Sequence, residues 1–453
     1  MSFLKRRPLY YGNVKQPYAS KSADAVNLLF LYSFDGRPLT TGAACPDSIE
    51  SQVTNCLDNI RLALVEAGSS LDNLVKNHIF VKNYLDCPRV WKTMLDYFQK
   101  HAPQLVEEPP AAAVCQIDTM AKPECLVEID SIAVLSKDKP GWEMKRYPIR
   151  LRRLGGRKQV YPDIEPGMPF LSESVVVGNL VFVSAMGGEN PETGKIETGV
   201  FEEQMHTALD KVRAAMDNAG SSLSNIIKTL HFQTRLETLL TGSKDSHQTF
   251  STSSDRLWKA ELEYYDRYAP FLLDEFPAST FMKVSSLADP VALAQVDVTG
   301  VVSRFKPGWR VRNCPCYLAK RGFPGHIGDI RKYYANSVVV GNLIFFSGQC
   351  PFDPVTGGFE SNNFEEQMVL ALDNLRAGME EAGSSLENLV KTNILLPNPS
   401  NLASMRRIEQ EYYRKYAPRL IDEPPASSVI HLLKLAAPNL MIEIDAIGCI
   451  PLD

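Results

Sequence analysis

The string Ala-Gly-Ser-Ser-Leu stands at Ala67–Leu71, at Ala219–Leu223 and at Ala382–Leu386, each time followed after one residue by Asn and then by Leu-Val-Lys or Ile-Ile-Lys. Its glycines, Gly68, Gly220 and Gly383, are 152 and 163 residues apart in a chain of 453 residues. A spacing so close to one third of the length marks three tandem copies of one unit. Upstream of each glycine, apolar residues recur in steps of four, three and four: Val53, Leu57, Ile60, Leu64; Met205, Leu209, Val212, Met216; Met368, Leu372, Leu375, Met379. This is the buried stripe of one helix written three times. Glu50, Glu202 with Glu203, and Glu365 with Glu366 fall in its first turn, where the helix dipole favours negative charge, and the glycines suit the left-handed position that closes it.

The flanking segments read as strands. Ser174–Ser184 and Ser337–Ser347 share Ser-Val-Val-Val-Gly-Asn-Leu ahead of the helix. Behind it come Leu74–Val81, Ile226–Gln233 and Leu389–Leu396, then a second helix carrying Tyr97-Phe98, Tyr264-Tyr265 and Tyr412-Tyr413. Two strands finish each copy, the last being Leu126–Val134, Ala292–Val301 and Leu440–Ile450. The predicted order is ββαβαββ in each copy, an α+β fold. The divisions expected are repeat 1 at 1–136, a connector at 137–168, repeat 2 at 169–303, a second connector at 304–332 and repeat 3 at 333–453.

Composition narrows the function. With 44% hydrophobic and 22% charged residues and a net charge of −5, the chain is ordinary for a globular protein. It has no apolar run of 18 residues, which argues against a membrane partner. Nine cysteines are scattered without metal-ligand pairing, and seven histidines show no paired spacing. Free thiols, a cytoplasmic location, no metal and no cofactor are the expectation.

Val340-Gly341-Asn342-Leu343-Ile344-Phe345-Phe346-Ser347-Gly348-Gln349, the Glu-Glu-Gln helix start, Ala-Gly-Ser-Ser-Leu-Glu-Asn-Leu-Val-Lys-Thr, Pro425-Ala426 and Ile442-Glu443-Ile444-Asp445 together resemble the Rid/YjgF family. The resemblance covers nearly all of the third copy and most of the second, and is weaker in the first. It implies a chorismate-mutase-like fold, homotrimers with ligand clefts between subunits, and hydrolysis of enamines and imines to ketoacids and ammonia. Three copies in one chain then imply an intramolecular pseudo-trimer with three unequal clefts, with further self-association left open.

The family carries an arginine two places after the Pro of its Pro-Ala-Arg motif, a planar fork that holds the substrate carboxylate. Here Ala112, Ser279 and Ser427 stand at that place. The family's glutamate on the final strand corresponds to Glu128, Gln295 and Glu443, which makes Glu443 and Glu128 the candidate catalytic residues, with a carboxylate positioning water as a base. Tyr334 corresponds to a family tyrosine, with Leu171 in the second copy and Tyr18 in the first if the alignment slips by one. Ser347-Gly348 keeps the family's turn, against Ser184-Ala185 and Tyr32-Ser33. Candidate substrate-binding residues are therefore Tyr334, Ser347, Gly348, Ser427, Ser279, Ala112 and Gln295. His78 and His231, one strand position out of step, read as structural.

Three functions remain open: a C–N hydrolase or deaminase with a substrate held in a new way, a metabolite-binding or interaction scaffold, and nucleic-acid binding or cleavage, which is the least favoured. The last rests on the connectors, where nine Lys and Arg face Asp138 and Glu143 between Lys137 and Lys158, and eight face Asp329 between Arg304 and Lys332. The competing reading is that these cations hold an acidic body together. Repeat 2 also carries a Ser/Thr-rich insertion near 239–254, which reads as a loop bordering a cleft.

Overall fold

The computed structural model describes residues 4–150, 169–234, 253–315, 334–353, 361–437 and 439–451. The repeated stripe forms the helices Ile49–Ala67, Phe201–Asn218 and Phe364–Glu381, and every stripe residue is buried. Ser48 and Asn363 cap two of them by accepting backbone N–H groups, as short polar residues do at that position. Gly68, Gly220 and Gly383 take φ of 81°, 75° and 86° just past the helix ends, a conformation that favours glycine. The second helices, Cys87–His101, Ser253–Tyr268 and Leu402–Tyr416, pack on the first. Tyr97, Tyr264 and Tyr412 staple each pair by donating to Asp58, Asp210 and Asp373 at 2.7, 2.6 and 2.6 Å.

Each repeat begins one strand earlier than the sequence pattern predicts. Leu4–Tyr11, Met144–Arg150 and Val311–Pro315 run antiparallel to the following strands Val14–Ala25, Pro169–Val177 and Ala335–Val340. Two of these extra strands lie within the basic connectors. Residues 151–168 and 316–332 of the connectors, residue 333, and nearly all of the 239–254 insertion lie outside the described residues.

The strands join into one sheet. In each repeat the strand after the second helix pairs in parallel with the strand that follows it across the next boundary: Ala111 with Ser172, Ala278 with Ala335, and Ala426 with Ser20. The third pairing returns the chain to its first repeat, so the circuit closes. One face of the sheet packs on each repeat's own helices. The other forms two shared cores to which all three repeats contribute, one around Phe30, Phe182 and Phe345 and one around Phe80, Phe232 and Leu395.

Polar groups fix the joints. Lys76 pairs with Asp297 at 2.6 Å, Lys228 with Asp445 at 2.5 Å and Lys391 with Asp130 at 2.8 Å, all six side chains buried and each pair spanning two repeats. The same ammonium groups donate to the carbonyls of Val183, Phe346 and Leu31. Paired charges with satisfied donors are the form in which burial of charge is tolerated. At the outer end of each joint an arginine reaches the carbonyls that close the neighbour's turn. Arg6 binds Glu387 and Leu389, Arg146 binds Asp72 and Leu74, and Arg304 reaches Ile226. Arg312 donates to the Ala382 carbonyl, Lys139 to that of Val26 and Lys306 to that of Gly178. Trp142 and Trp309, from the two Lys-Pro-Gly-Trp strings, lie with ring centroids 4.7 Å apart. Among the described residues these connector cations serve the body of the protein.

The cysteine expectation is corrected in one place: Cys45 and Cys125 form a disulfide across 80 residues, a proximity that spacing does not reveal. With Asp35 these two cysteines also form the one metal-compatible group among the described residues. Both sulfurs are committed to each other, and Arg37 holds the Asp35 carboxylate in a bidentate pair.

Candidate functional site: three unequal seams

The lysine-to-carbonyl contacts align the repeats. Val183, Phe346 and Leu31 are equivalent, so Ser184-Ala185, Ser347-Gly348 and Tyr32-Ser33 are equivalent turns at the seams between repeats 1 and 2, 2 and 3, and 3 and 1. Strand register places Ala112, Ser279 and Ser427 opposite Asn77, Thr229 and Thr392, one residue past the pairings that cross each seam. It also pairs Glu128, Gln295 and Glu443 with Phe80, Phe232 and Leu395. Tyr334 and Leu171 immediately precede the crossing residues Ala335 and Ser172. The matching residue in repeat 1 is Ala19, since Ser20 makes the crossing. Tyr18 is thus one place out of register, and its ring lies under the Arg406 guanidinium at 5.3 Å.

At the 2/3 seam the Ser279 N–H donates to Ser347 Oγ at 2.8 Å, and Ser347 Oγ donates onward to the Ala335 carbonyl at 2.5 Å. The Gly348 N–H donates to the Ser279 carbonyl at 3.0 Å. Gly348 lies close against Glu443, since an added Cβ would stand 1.7 Å from its Oε1 and displace that side chain. Glu443 is 3% exposed, and its Oε2 has no hydrogen-bond partner among the described residues. Burial, with Asp445 adding to it, pushes the Glu443 carboxyl up to about 8.

At the 3/1 seam Glu128 is buried too, and burial, with Asp35 and Asp130 adding to it, likewise pushes it up to about 8. Ser427 lies fully buried and accepts from Thr392 Oγ1 at 3.1 Å. The upward direction of both shifts favours the protonated form of the two glutamates.

The 1/2 seam repeats the serine relay, with the Ala112 N–H donating to Ser184 Oγ at 2.7 Å and that hydroxyl to the Ser172 carbonyl at 2.6 Å. Its acid position holds Gln295. Beside Ser184-Ala185, and lined wholly by residues 148–218, lies a cavity of about 750 Å³ that includes Leu171, Ser184, Ala185, Met186, Glu189 and Lys211. Asn59 and Asn374 pin the loop after the third strand by donating to the carbonyls of Arg37 and of Cys350 and Phe352. Lys211, at the same position in repeat 2, binds Glu189 at 2.7 Å instead.

Neither histidine lies at a seam turn. His231 is buried, with Nε2 3.0 Å from Thr229 Oγ1 and 3.4 Å from Glu261, and burial lowers it to about 3. His78 Nε2 lies 3.3 Å from Asp297. The sequence reading missed the Lys–Asp pairs, although the lysine is identical in all three copies of the repeated string, a signal for a shared buried role.

The family model described as Endoribonuclease L-PSP matches residues 19–135, 163–302 and 327–450. A RutC family protein of Pyrococcus abyssi is 32% identical over 115 residues, which are 25% of this chain and 84% of that protein. The human protein named 2-iminobutanoate/2-iminopropanoate deaminase is 32% identical over 95 residues, 21% of this chain and 66% of its own length. Among solved structures, a Thermotoga maritima protein titled a putative endoribonuclease is 31% identical, with 31% of this chain covering 97% of that one at a TM-score of 0.25. With three matches in tandem over most of its length, the chain belongs to the Rid/YjgF family as a protein of three repeats.

Proposed function

We propose that the protein is a hydrolase of C–N double bonds in small imines or enamines, working at the 2/3 and 3/1 seams with Glu443 and Glu128 as proton donors. The observation that carries this reading is the burial of Glu128 and Glu443 at equivalent strand positions, which raises both carboxyls above their ordinary range. A neutral carboxyl group in a dry seam protonates a developing amine and leaves water to attack the carbon, giving a carbonyl compound and ammonia. The closed circuit of strands supports reading the three repeats, taken as 1–136, 169–303 and 333–453, as the equivalents of three subunits, a pseudo-trimer of chorismate-mutase-like units. Tyr334, Ser347, Gly348 and Ser279 then line the 2/3 cleft, and Ser427 lines the 3/1 cleft.

A second reading applies to the 1/2 seam. Gln295 has no proton to give and Ala112 offers no hydrogen-bonding side chain, yet the cavity of about 750 Å³ lies beside its Ser184-Ala185 turn. That combination favours binding of a small molecule without turnover. The connector cations that bind the protein's own carbonyls give no support to a nucleic-acid surface.

The test is ammonia release from freshly generated amino-acid-derived imines. The double variant E128Q/E443Q should lose about 10²- to 10⁴-fold in rate, the usual worth of a positioned acid. Undiminished release by that variant sinks the hydrolase reading.

A further inference from the structure

The residue that fills the space of the missing strand arginine differs among the seams. A small apolar void in repeat 1 is lined by Ala112 together with Trp91, Met94, Phe98 and Pro110, so the helix residue Trp91 is the neighbour of the anchor position. Counting from the stapling tyrosines Tyr97, Tyr264 and Tyr412, the equivalents of Trp91 are Trp258 and Arg406. By the same count the residues equivalent to Ala112 and Trp91 are Ser279 and Trp258 in repeat 2 and Ser427 and Arg406 in repeat 3. In two seams the helix supplies an indole. In the third it supplies a guanidinium.

Arg406 is built to face that seam. Its side chain is 13% exposed, and Nη1 donates to Glu409 Oε2 at 2.7 Å. Glu409 is itself buried, so it fixes one edge of the fork. The other face lies over Tyr18 of repeat 1, which places the guanidinium at the boundary. The Tyr32 hydroxyl, in the turn across the seam, feels the charges of both Glu128 and Arg406. Beyond the bond to Glu409, no protein acceptor for Arg406 is present among the described residues. A planar fork with free N–H donors at the boundary is complementary to a carboxylate at one end of a ligand.

We propose that Arg406 is the carboxylate anchor of the 3/1 seam, taking over from the helix the role that the strand has lost, so that this one seam selects small 2-imino or 2-oxo acids while the seams closed by Trp91 and Trp258 do not. Glu409 acts as its positioning residue. The proposal rests on the hydrolase reading only for the identity of the chemistry; the binding itself is independent of turnover.

The test uses the full chain with 2-oxobutanoate as probe and 2-oxobutanamide as its uncharged counterpart, read by titration calorimetry, with thermal melts to confirm folding of every variant. The wild type should bind the acid at one site and the amide at least tenfold more weakly. R406Q should lose at least tenfold for the acid and nothing for the amide, R406K should fall between, and R406Q/S427R should regain binding by restoring a guanidinium from the strand. Equal binding of acid and amide, unchanged binding in R406Q, or no binding by the wild type overturns the anchor. If E128Q/E443Q keeps binding the acid through Arg406 and the wild type releases no ammonia from imines, the anchor stands and the hydrolase reading fails.

Discussion

The 1/2 and 3/1 seams share a backbone and almost nothing of their chemistry. Both are crossed by the same parallel strand pairing, both carry a buried Lys–Asp pair, and both are clamped from outside by an arginine on turn carbonyls. Yet one presents Gln295, Ala112, Trp91 and a large cavity beside its turn, and the other Glu128, Ser427 and Arg406. The difference shows that architecture and reactivity are held by separate residues here. Side chains alternate along a strand, so Glu128 and Glu443 share the inward face with the joint aspartates Asp130 and Asp445 two residues on, while Ala112, Ser279 and Ser427 lie on the outward face. Lys76, Lys228 and Lys391 point inward and are invariant among the repeats. Their outward neighbours Asn77, Thr229 and Thr392 differ.

The sharpest way to break this comparison is to damage one joint at a time. Removing one partner of a buried ion pair leaves the other charge stranded, at about 3–5 kcal/mol. K76M, K228M and K391M should each lower unfolding free energy by that amount in denaturant titrations, with similar values at all three seams. If K76M proves nearly silent while the others do not, the joints are not equivalent and the separation of scaffold from chemistry fails at the 1/2 seam.

A smaller effect separates the seams by pH. Glu128 and Glu443 are raised to about 8 in the folded protein, above their unfolded values near 4.5. Between those values the unfolded chain has released two protons that the folded one retains. The stabilisation is complete below about pH 4.5 and declines as pH rises through 8. From pH 6.5 to 7.5 the loss should be roughly 2–3 kcal/mol, about 1.4 for each group. E128Q or E443Q should halve that slope and the double variant should flatten it, as measured by denaturant titration across pH. Q295E should add a third increment at the 1/2 seam, where the wild type has none. A flat profile in the wild type would mean that the glutamates are ionised and cannot act as acids.

These contrasts also show what the sequence could convey. The helix stripes and Gly68, Gly220 and Gly383 were legible because they recur at fixed spacing and depend on local backbone geometry. The extra first strands were not. Met-Lys-Arg-Tyr-Pro-Ile-Arg at 144–150 reads as a charged connector, since Arg146 spends its charge on carbonyls of another repeat. The partners of the buried lysines lie 221, 217 and 261 residues away, beyond any local pattern. Arg406 left no repeat signal at all, because its equivalents are tryptophans and the resemblance exists only in space.

The finest difference among the joints offers the smallest effect. Thr280 and Ser428 each bridge their lysine and aspartate: Thr280 Oγ1 accepts from Lys228 and donates to Asp445, both at 2.6 Å, and Ser428 does the same with Lys391 at 2.8 Å and Asp130 at 3.2 Å. The 1/2 seam has Ala113 at this position, paired in register with His78. His78 Nε2 approaches Asp297 at 3.3 Å, a longer contact than the threonine makes. A113S should supply the missing bridge and stabilise the protein by about 1 kcal/mol, the net worth of one buried hydrogen bond. Threonine already fits the same place in repeat 2, so the added oxygen should meet no steric objection. The measurement is a double cycle of A113S and H78A in denaturant. If the hydroxyl completes the joint, A113S stabilises in both backgrounds, and more so without the histidine. Destabilisation in the wild-type background but not in H78A would identify His78 as the bridge that the 1/2 joint uses in place of a hydroxyl.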